Sequence, residues 1–270
     1  MLAQERYAII IDMLRENNVI KISDIVQRFG ISNLTARRDL DALQDQNLVH
    51  RVYGGAILLN SNSDTGTLPD TTEHTQTPRH LEGRAIGKAA ADIISEGDSI
   101  FLGTGTTVME IARNMHHLSN VTVLTNSLAV LNELSTTNNS IYVLGGFLDP
   151  NEHSIYGNAA ISMLQSFCAD KAFIGCGGIT FSHGISDYLS QVADINRIMV
   201  ENALKTILVA DSHKFGSNAF AVVCPITSVN TILTDDDLPI KYQEGIRQRG
   251  IDLHMIPVGS DSSDDDSDSN

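Results

Sequence analysis

"ISNLTARRDLDALQ" (residues 31–44) decides how the first sixty residues are read. Ala36, Leu40 and Leu43 recur at i, i+4 and i+7, the spacing of one apolar stripe along a helix. Ser32 stands just ahead of it, where an N-cap belongs. With that stripe turned inward, Asn33 and Arg37 share an outer face, and Thr35 and Arg38 share the neighbouring strip. Ser and Thr hydroxyls suit phosphate oxygens, whereas Asn and Arg suit base edges. The competing reading makes Arg37 and Arg38 solvated helix residues paired with Asp41 and Asp45.

The flanking sequence favours the first reading. Upstream, Ile9, Ile10, Met13 and Leu14 mark a helix in "QERYAIIIDMLRENN". Ser23 is the expected N-cap of "DIVQRF", in which Ile25, Val26 and Phe29 form one face, and Gly30 suits a left-handed C-cap. Downstream, "LVHRVYGGAILL" is two β-prone runs around Gly54-Gly55, a hairpin signal. Helix, helix, short turn, helix and hairpin make a winged helix-turn-helix over residues 1–59. In that arrangement the second helix of the pair lays its N-terminal half in the DNA major groove. The expected DNA contacts are therefore Ser32, Asn33, Thr35, Arg37 and Arg38, with Arg51 of the wing on a flanking phosphate.

The chain has 270 residues and a formal net charge of −15, which at first argues against nucleic acid. The charge is unevenly spread. Residues 1–60 hold seven basic and seven acidic side chains, so the whole deficit lies beyond them. Five of the acids are aspartates in the low-complexity tail "SDSSDDDSDSN", expected to be disordered over 259–270. The cysteines (Cys168, Cys176 and Cys224) lack C-x-x-C spacing, which reads as a reduced, cytosolic protein without disulfides or zinc. No apolar run approaches the roughly 18 residues a membrane span needs. Glu5, Arg6, Asp12 and Arg15 exclude a signal peptide.

"NSNSDTGTLPDTTEHTQTP" opens a polar, aperiodic stretch read as a flexible linker over 60–80. From Leu81 to residue 258 helix and strand patterns alternate. "RAIGKAAADIIS", "TVMEIARNM" and "LAVLNEL" are helical; "SIFLG", "VTVLT", "IYVLGG", "KAFIG", "TILVAD", "NTILTD" and "IDLHMIP" are strands. Such alternation predicts an α/β domain with a mostly parallel sheet covered on both faces. Gly103-Thr104-Gly105-Thr106-Thr107 joins a strand to a helix, where backbone N–H groups and a helix N-terminus suit a phosphate. The turn lacks the third glycine of a dinucleotide fingerprint and the G-K-[ST] of a nucleotide P-loop. Ligands of open parallel sheets collect at the carboxyl ends of the strands. The expected effector-binding set is thus Thr104, Gly105, Thr106, Thr107, Asn126, Ser127, Gly145, Gly146, Gly178, Asp211 and Lys214.

These residues carry a family resemblance. Ser32, Thr35, Arg37-Arg38-Asp39-Leu40, then Arg51, Gly54, Gly55 and Ala56, resemble the N-terminal pattern of DeoR-type bacterial transcriptional repressors. "GTGTT", "LTNS", "LGGFL", "YGNAA", "DKAFIGCGGI", "VADSHKFG" and "ILTD" resemble the effector domain of that family, related to the ribose-5-phosphate isomerase fold. The resemblance implies a repressor of carbohydrate-metabolism genes. Its implied partners are an operator in double-stranded DNA and a phosphorylated sugar or related metabolite, with no catalysis, cofactor or membrane. A homo-oligomer, dimer or tetramer, is expected. The chain departs from the family at four places: Gly83 and Asn196 stand where Lys is common, Gly103 where an acid is common, and Asp149 where Arg is usual. Those departures imply an effector with less negative charge or different hydroxyls. The alternative function is a sugar-phosphate isomerase-like enzyme with an added domain, its base drawn from Asp187, Asp211 or Asp235. A third is a protein-interaction scaffold that uses the acidic tail.

Overall fold

The computed structural model describes residues 3–17, 19–46, 48–52, 55–58, 78–150 and 152–258. The turn residue Gly54, most of the expected linker (60–77) and the acidic tail (259–270) lie outside the described residues. The chain divides into two compact units, Met1–Thr75 and Gln76–Asn270.

In the first unit, α1 (Ala3–Asn17) is followed by β1 (Val19–Lys21), α2 (Ile22–Phe29), α3 (Asn33–Asp45), β2 (Val49–Val52) and β3 (Gly55–Leu58). Ile10 and Leu14 of α1, Ile25 of α2, and Ala36, Leu40 and Leu43 of α3 meet in one fully buried cluster. Gly30 ends α2 in the left-handed conformation, φ 62°, with its N–H on the Val26 carbonyl at 2.9 Å. The start of α2 differs from expectation. The cap position is Lys21, whose N–H donates to Asp24 Oδ2 at 3.3 Å, so Ser23 lies inside the helix. The spacing also hides β1, which turns the hairpin into a three-stranded sheet of order β1-β3-β2. Gly55 makes that sheet possible, because a Cβ there would stand 2.0 Å from the Ile20 carbonyl oxygen.

The second unit opens on α4 (Pro78–Ala91) and continues through β4 (Ser99–Leu102), α5 (Thr106–Arg113), β5 (Thr122–Thr125), α6 (Leu128–Leu134) and β6 (Ser140–Val143). A hairpin follows, β7 (Phe147–Asp149) with β8 (Ser154–Tyr156), then α7 (Asn158–Leu164) and β9 (Ala169–Ile174). Next come β10 (Gly178–Thr180), β11 (Gly184–Asp187), α8 (Ser190–Glu201), β12 (Ala203–Val209), β13 (Ala221–Cys224), β14 (Thr231–Asp235), α9 (Ile240–Arg247) and β15 (Asp252–Ile256). The helical run of "RAIGKAAADIIS" stops at Ala91; Ile93 and Ile94 bond three residues back and tighten the chain into a turn.

Seven strands form one parallel sheet of order β15-β14-β12-β9-β4-β5-β6. Alternation divides its residues between two cores. Ile100, Leu102, Val123, Phe173, Ile207 and Val209 pack with α4, α5 and α6 on one face. Phe101, Leu124, Ile174 and Leu208 pack with α7, α8 and α9 on the other. From β4 the chain steps outward through β5 to β6; from β9 it steps the opposite way through β12 and β14 to β15. The reversal lies between β4 and β9, the place where an open parallel sheet leaves a crevice at its carboxyl edge. The short strands β10, β11 and β13, absent from the sequence reading, form a separate antiparallel sheet.

Candidate functional site

Two surfaces gather the expected residues, one in each unit. On α3 the side facing away from Ala36, Leu40 and Leu43 carries Asn33, Leu34, Arg37 and Arg38, all exposed. Ser32 is the N-cap: its Oγ accepts the Thr35 N–H at 3.1 Å and lies 2.9 Å from Thr35 Oγ1. These two hydroxyls hold each other and the first turn. Arg51 lies on β2 opposite Ala56 of β3. One residue of the Arg-Arg-Asp-Leu run has a different use. Asp39 is 3 % exposed and takes two bonds from Arg6 of α1, Nε to Oδ2 at 2.7 Å and Nη2 to Oδ1 at 2.9 Å. This bidentate pair, with a partner 33 residues away, fixes α3 against α1.

In the second unit the carboxyl edge of the sheet brings together the loops after β4, β5, β6, β9 and β12. Gly103 continues β4: its N–H donates to the Phe173 carbonyl of β9 at 3.0 Å. Gly105 opens α5 at φ 117° without any side-chain cap, and Gly105 and Thr106 are exposed, with Thr104 and Thr107 half-buried beside them. The first N–H groups of α5 are thus left to a ligand or solvent. Past β5, Ser127 caps α6 by accepting the Val130 N–H at 3.3 Å. Asn126 donates to the Ile155 carbonyl at 3.2 Å, tying β5 to the hairpin. Gly145 is exposed with open space around it. Gly146 leads into the hairpin at its open end, where a Cβ would stand 2.4 Å from the Tyr156 carbonyl oxygen. Gly178 sits buried within β10, where a Cβ would stand 2.4 Å from the Ser217 carbonyl oxygen. Backbone packing by itself requires glycine at both positions.

The three aspartates weighed as bases each hold a turn. Asp187 accepts from Tyr188 N at 2.7 Å, Asp211 from His213 N at 3.1 Å, and Asp235 from Ser212 N at 2.6 Å. Burial pushes the Asp187 carboxyl up to about 6, against the opposing effect of the Tyr188 and Leu189 N–H bonds and of Lys214. Burial likewise raises the Cys176 thiol to about 12, with Lys214 again opposing. Lys214 is thus near enough to bear on both groups, one just past β9 and the other at the end of β11. Near it, His213 Nδ1 lies 3.7 Å from Glu82 Oε2 and 3.6 Å from Asp211 Oδ1, a donor set a divalent ion can use.

Two departures from the family pattern are neighbours. A Cβ on Gly103 would stand 3.1 Å from Asn196 Oδ1. The positions at which the resemblance implies an acid and a lysine thus lie at one point, held here by a glycine and an amide. Gly83 adjoins the α5 turn instead, 3.5 Å from Thr107 Oγ1 by the same measure. The sequence marks Asn196 only as a departure from the family pattern; the fold is what brings α8 to the end of β4.

The DeoR-like helix-turn-helix domain matches residues 6–62, and the DeoR C-terminal sensor domain matches residues 79–236. The putative aga operon transcriptional repressor of Escherichia coli O157:H7 is 31 % identical over 93 % of this chain and 93 % of its own length. The glycerol-3-phosphate regulon repressor of Escherichia coli K12 is 29 % identical over 93 % of this chain and 98 % of its own. Among solved structures, ribose 5-phosphate isomerase A of Methanocaldococcus jannaschii covers 52 % of this chain and 55 % of its own at 16 % identity, with a TM-score of 0.38. Among the described residues no helix is long and apolar enough to cross a membrane. With both family domains in the order of the two units, and full-length relatives that are repressors rather than enzymes, this chain belongs to the DeoR family of DNA-binding transcription regulators.

Proposed function

We propose that the first unit binds a double-stranded operator through α3 and the wing, while the second senses a phosphorylated sugar or related hydroxylated metabolite. The chain is then a cytoplasmic, ligand-controlled repressor of carbohydrate-metabolism genes, with a DNA-binding head over 1–59, a linker that ends where α4 begins at Pro78, a sensor through 258 and a tail over 259–270. The observation that carries the reading is the two-sidedness of α3. Its apolar stripe is fully buried and Arg37 and Arg38 are exposed on the opposite side, in a head without net charge. Attraction to DNA is then local. Asn33 and Arg37 reach base edges, Arg38 and Arg51 neutralise phosphates, and Ser32 and Thr35 set the helix start. A phosphoryl group is placed at the uncapped start of α5 beside Thr104, Gly105, Thr106 and Thr107, with Lys214 and Asp211 at the adjoining strand end. The relatives named for the aga operon and the glycerol-3-phosphate regulon support a carbohydrate setting.

One winged helix covers little DNA, so a homo-oligomer presenting two or more heads to repeated half-sites completes the reading. For control, the metabolite must bind the DNA-competent and DNA-incompetent states with different affinity. The test is fluorescence anisotropy of the full chain on DNA from its own upstream region, at rising salt, with and without phosphorylated sugars. Salt-sensitive binding shifted by one class of metabolite is the expected result. Binding that ignores salt, or that no phosphorylated sugar alters, would sink the respective half of the proposal.

A further inference from the structure

At the β4/β9 crevice two amides are buried with one polar atom each left over. Asn196 of α8 is 2 % exposed and Asn126, just past β5, is 1 % exposed. Among the described residues Asn196 Nδ2 and Asn126 Oδ1 have no hydrogen-bond partner. Buried amide atoms are rarely left so, because desolvation without a partner is costly. Both residues adjoin Gly103, Asn126 by strand register and Asn196 by its side chain. Leu102 of β4 pairs with Thr125 of β5, so Gly103 and Asn126 are the next residues side by side, on the sheet face that carries Phe101 and Leu124. Asn196 reaches the same point from above, its Oδ1 standing 3.1 Å from where a Cβ of residue 103 would be. The glycine is what lets the amide come down to the strand end.

We infer that Asn196 and Asn126 form a hydroxyl-binding subsite next to Gly103, one that takes the neutral polyol part of the effector. This rests on the effector reading above and deepens it. One residue leaves over a donor and the other an acceptor, and a hydroxyl is the group that answers both at once. A carboxylate only accepts, and at this place it would meet Asn126 Oδ1 with its charge unmatched. The next residues of the same turn, Thr104 to Thr107, face the place assigned to the phosphoryl group. The ligand class is therefore a phosphorylated polyol or sugar with a hydroxyl, not an acid, at the end away from the phosphate. A site built to bond a hydroxyl discriminates strongly against analogues that lack it.

The full chain and an Asn196→Leu variant are compared by calorimetric titration with inorganic phosphate, glycerol 3-phosphate, glucitol 6-phosphate and their acids 3-phosphoglycerate and 6-phosphogluconate. Unphosphorylated glycerol and glucitol are run beside them. The wild type is expected to bind at least one polyol phosphate about tenfold or more tightly than inorganic phosphate and than the matching acid. Asn196→Leu is expected to remove that excess, leave inorganic phosphate unchanged, and melt no lower than the wild type without ligand, since it deletes an unpaired buried group. If the excess survives in Asn196→Leu, or the wild type never shows it, the subsite is wrong while the phosphate reading stands. If the wild type binds neither phosphate nor any polyol phosphate, the phosphate reading fails. The free polyols then decide the subsite: binding lost in Asn196→Leu supports it, and no binding overturns it. A ligand-free melting point that falls in Asn196→Leu, with polyol preference intact, would make the residue structural.

Discussion

The outer face of α3 and the carboxyl edge of the parallel sheet both collect polar side chains, and they treat water in opposite ways. On α3 the charges are outside, Arg37 and Arg38 exposed, while the helix start is closed by its own hydroxyls, Ser32 and Thr35. At the sheet edge the helix start is open, since Gly105 brings no cap, and the polar groups are buried, Asn126 and Asn196 among them. A surface of the first kind suits a partner that is itself a polyanion and brings its own water and counterions. A surface of the second kind has already lost its water, so it suits a small ligand that supplies the missing hydrogen bonds in a fixed arrangement. The difference is between a face that attracts and a crevice that selects.

The largest effect expected from breaking this arrangement is on what holds α3 in place. Asp39→Ala removes both bonds to an Arg6 side chain that is 12 % exposed. Loss of one partner of such a buried pair costs about 3 kcal/mol. Hydrogen exchange in the full chain should show residues 3–58 losing protection while 78–258 keep theirs, with operator binding lost as a consequence. Unchanged protection in α1 and α3 would mean that the ion pair does not set the position of the recognition face.

The next effect tests the burial of a carboxyl at the end of β11. Asp187 has its carboxyl raised to about 6 by burial, well above the ordinary carboxylate range. Between about 4 and 6 the folded chain therefore holds more protons at this group than the unfolded chain, so its contribution to stability falls as pH rises through that window. Above it the full cost of burying the carboxylate is present, about 3 kcal/mol. Asp187→Asn keeps an oxygen for the Tyr188 N–H and cannot ionise. The melting-point difference between variant and wild type should be near zero at pH 4 and favour the variant at pH 7.5. A difference that does not change with pH would mean that Asp187 is wetted like the residues of α3.

The sequence shows local patterns and hides contacts between distant residues. The α3 stripe, the Ser32 cap, the Gly30 cap and the series of β-prone runs are local patterns, with partners within a turn or a pleat. Asp39 finds Arg6 33 residues away, and Gly103 meets Asn196 across the sheet, so no window of sequence contains either pair. The strand β1 was missed because three residues, Val19-Ile20-Lys21, carry too little alternation to register. A glycine looks alike in sequence whether it admits a ligand or a neighbouring carbonyl, so the close approach of Gly146 to Tyr156 and of Gly178 to Ser217 is visible only in the fold. Charge was legible only once it was counted by segment, which separated the neutral head from the acidic remainder.

A smaller effect belongs to the exposed face itself. Arg38→Ala takes a charge from solvent, so stability and effector binding should stay as they are. Operator affinity should fall about tenfold to a hundredfold, and the salt dependence of binding should lose about one unit of slope if the contact is to a phosphate. Anisotropy titrations at several salt concentrations read both quantities. Normal affinity would place the recognition face elsewhere on the head.

The smallest effect separates capping from contact at Ser32, which both descriptions of α3 claim. Its Oγ already accepts from Thr35 N and sits within hydrogen-bond distance of Thr35 Oγ1. Ser32→Ala should destabilise the head by about 1 kcal/mol, whereas Ser32→Gly should cost only about a few tenths, because glycine is itself a good N-cap. Both variants delete the hydroxyl. If that hydroxyl also touches the operator, the two lose the same affinity despite their different stabilities. If it only caps, operator affinity follows stability, and Ser32→Gly binds nearly as well as the wild type. The pair of titrations therefore tells whether the start of α3 is closed in order to build the face, or is part of the face.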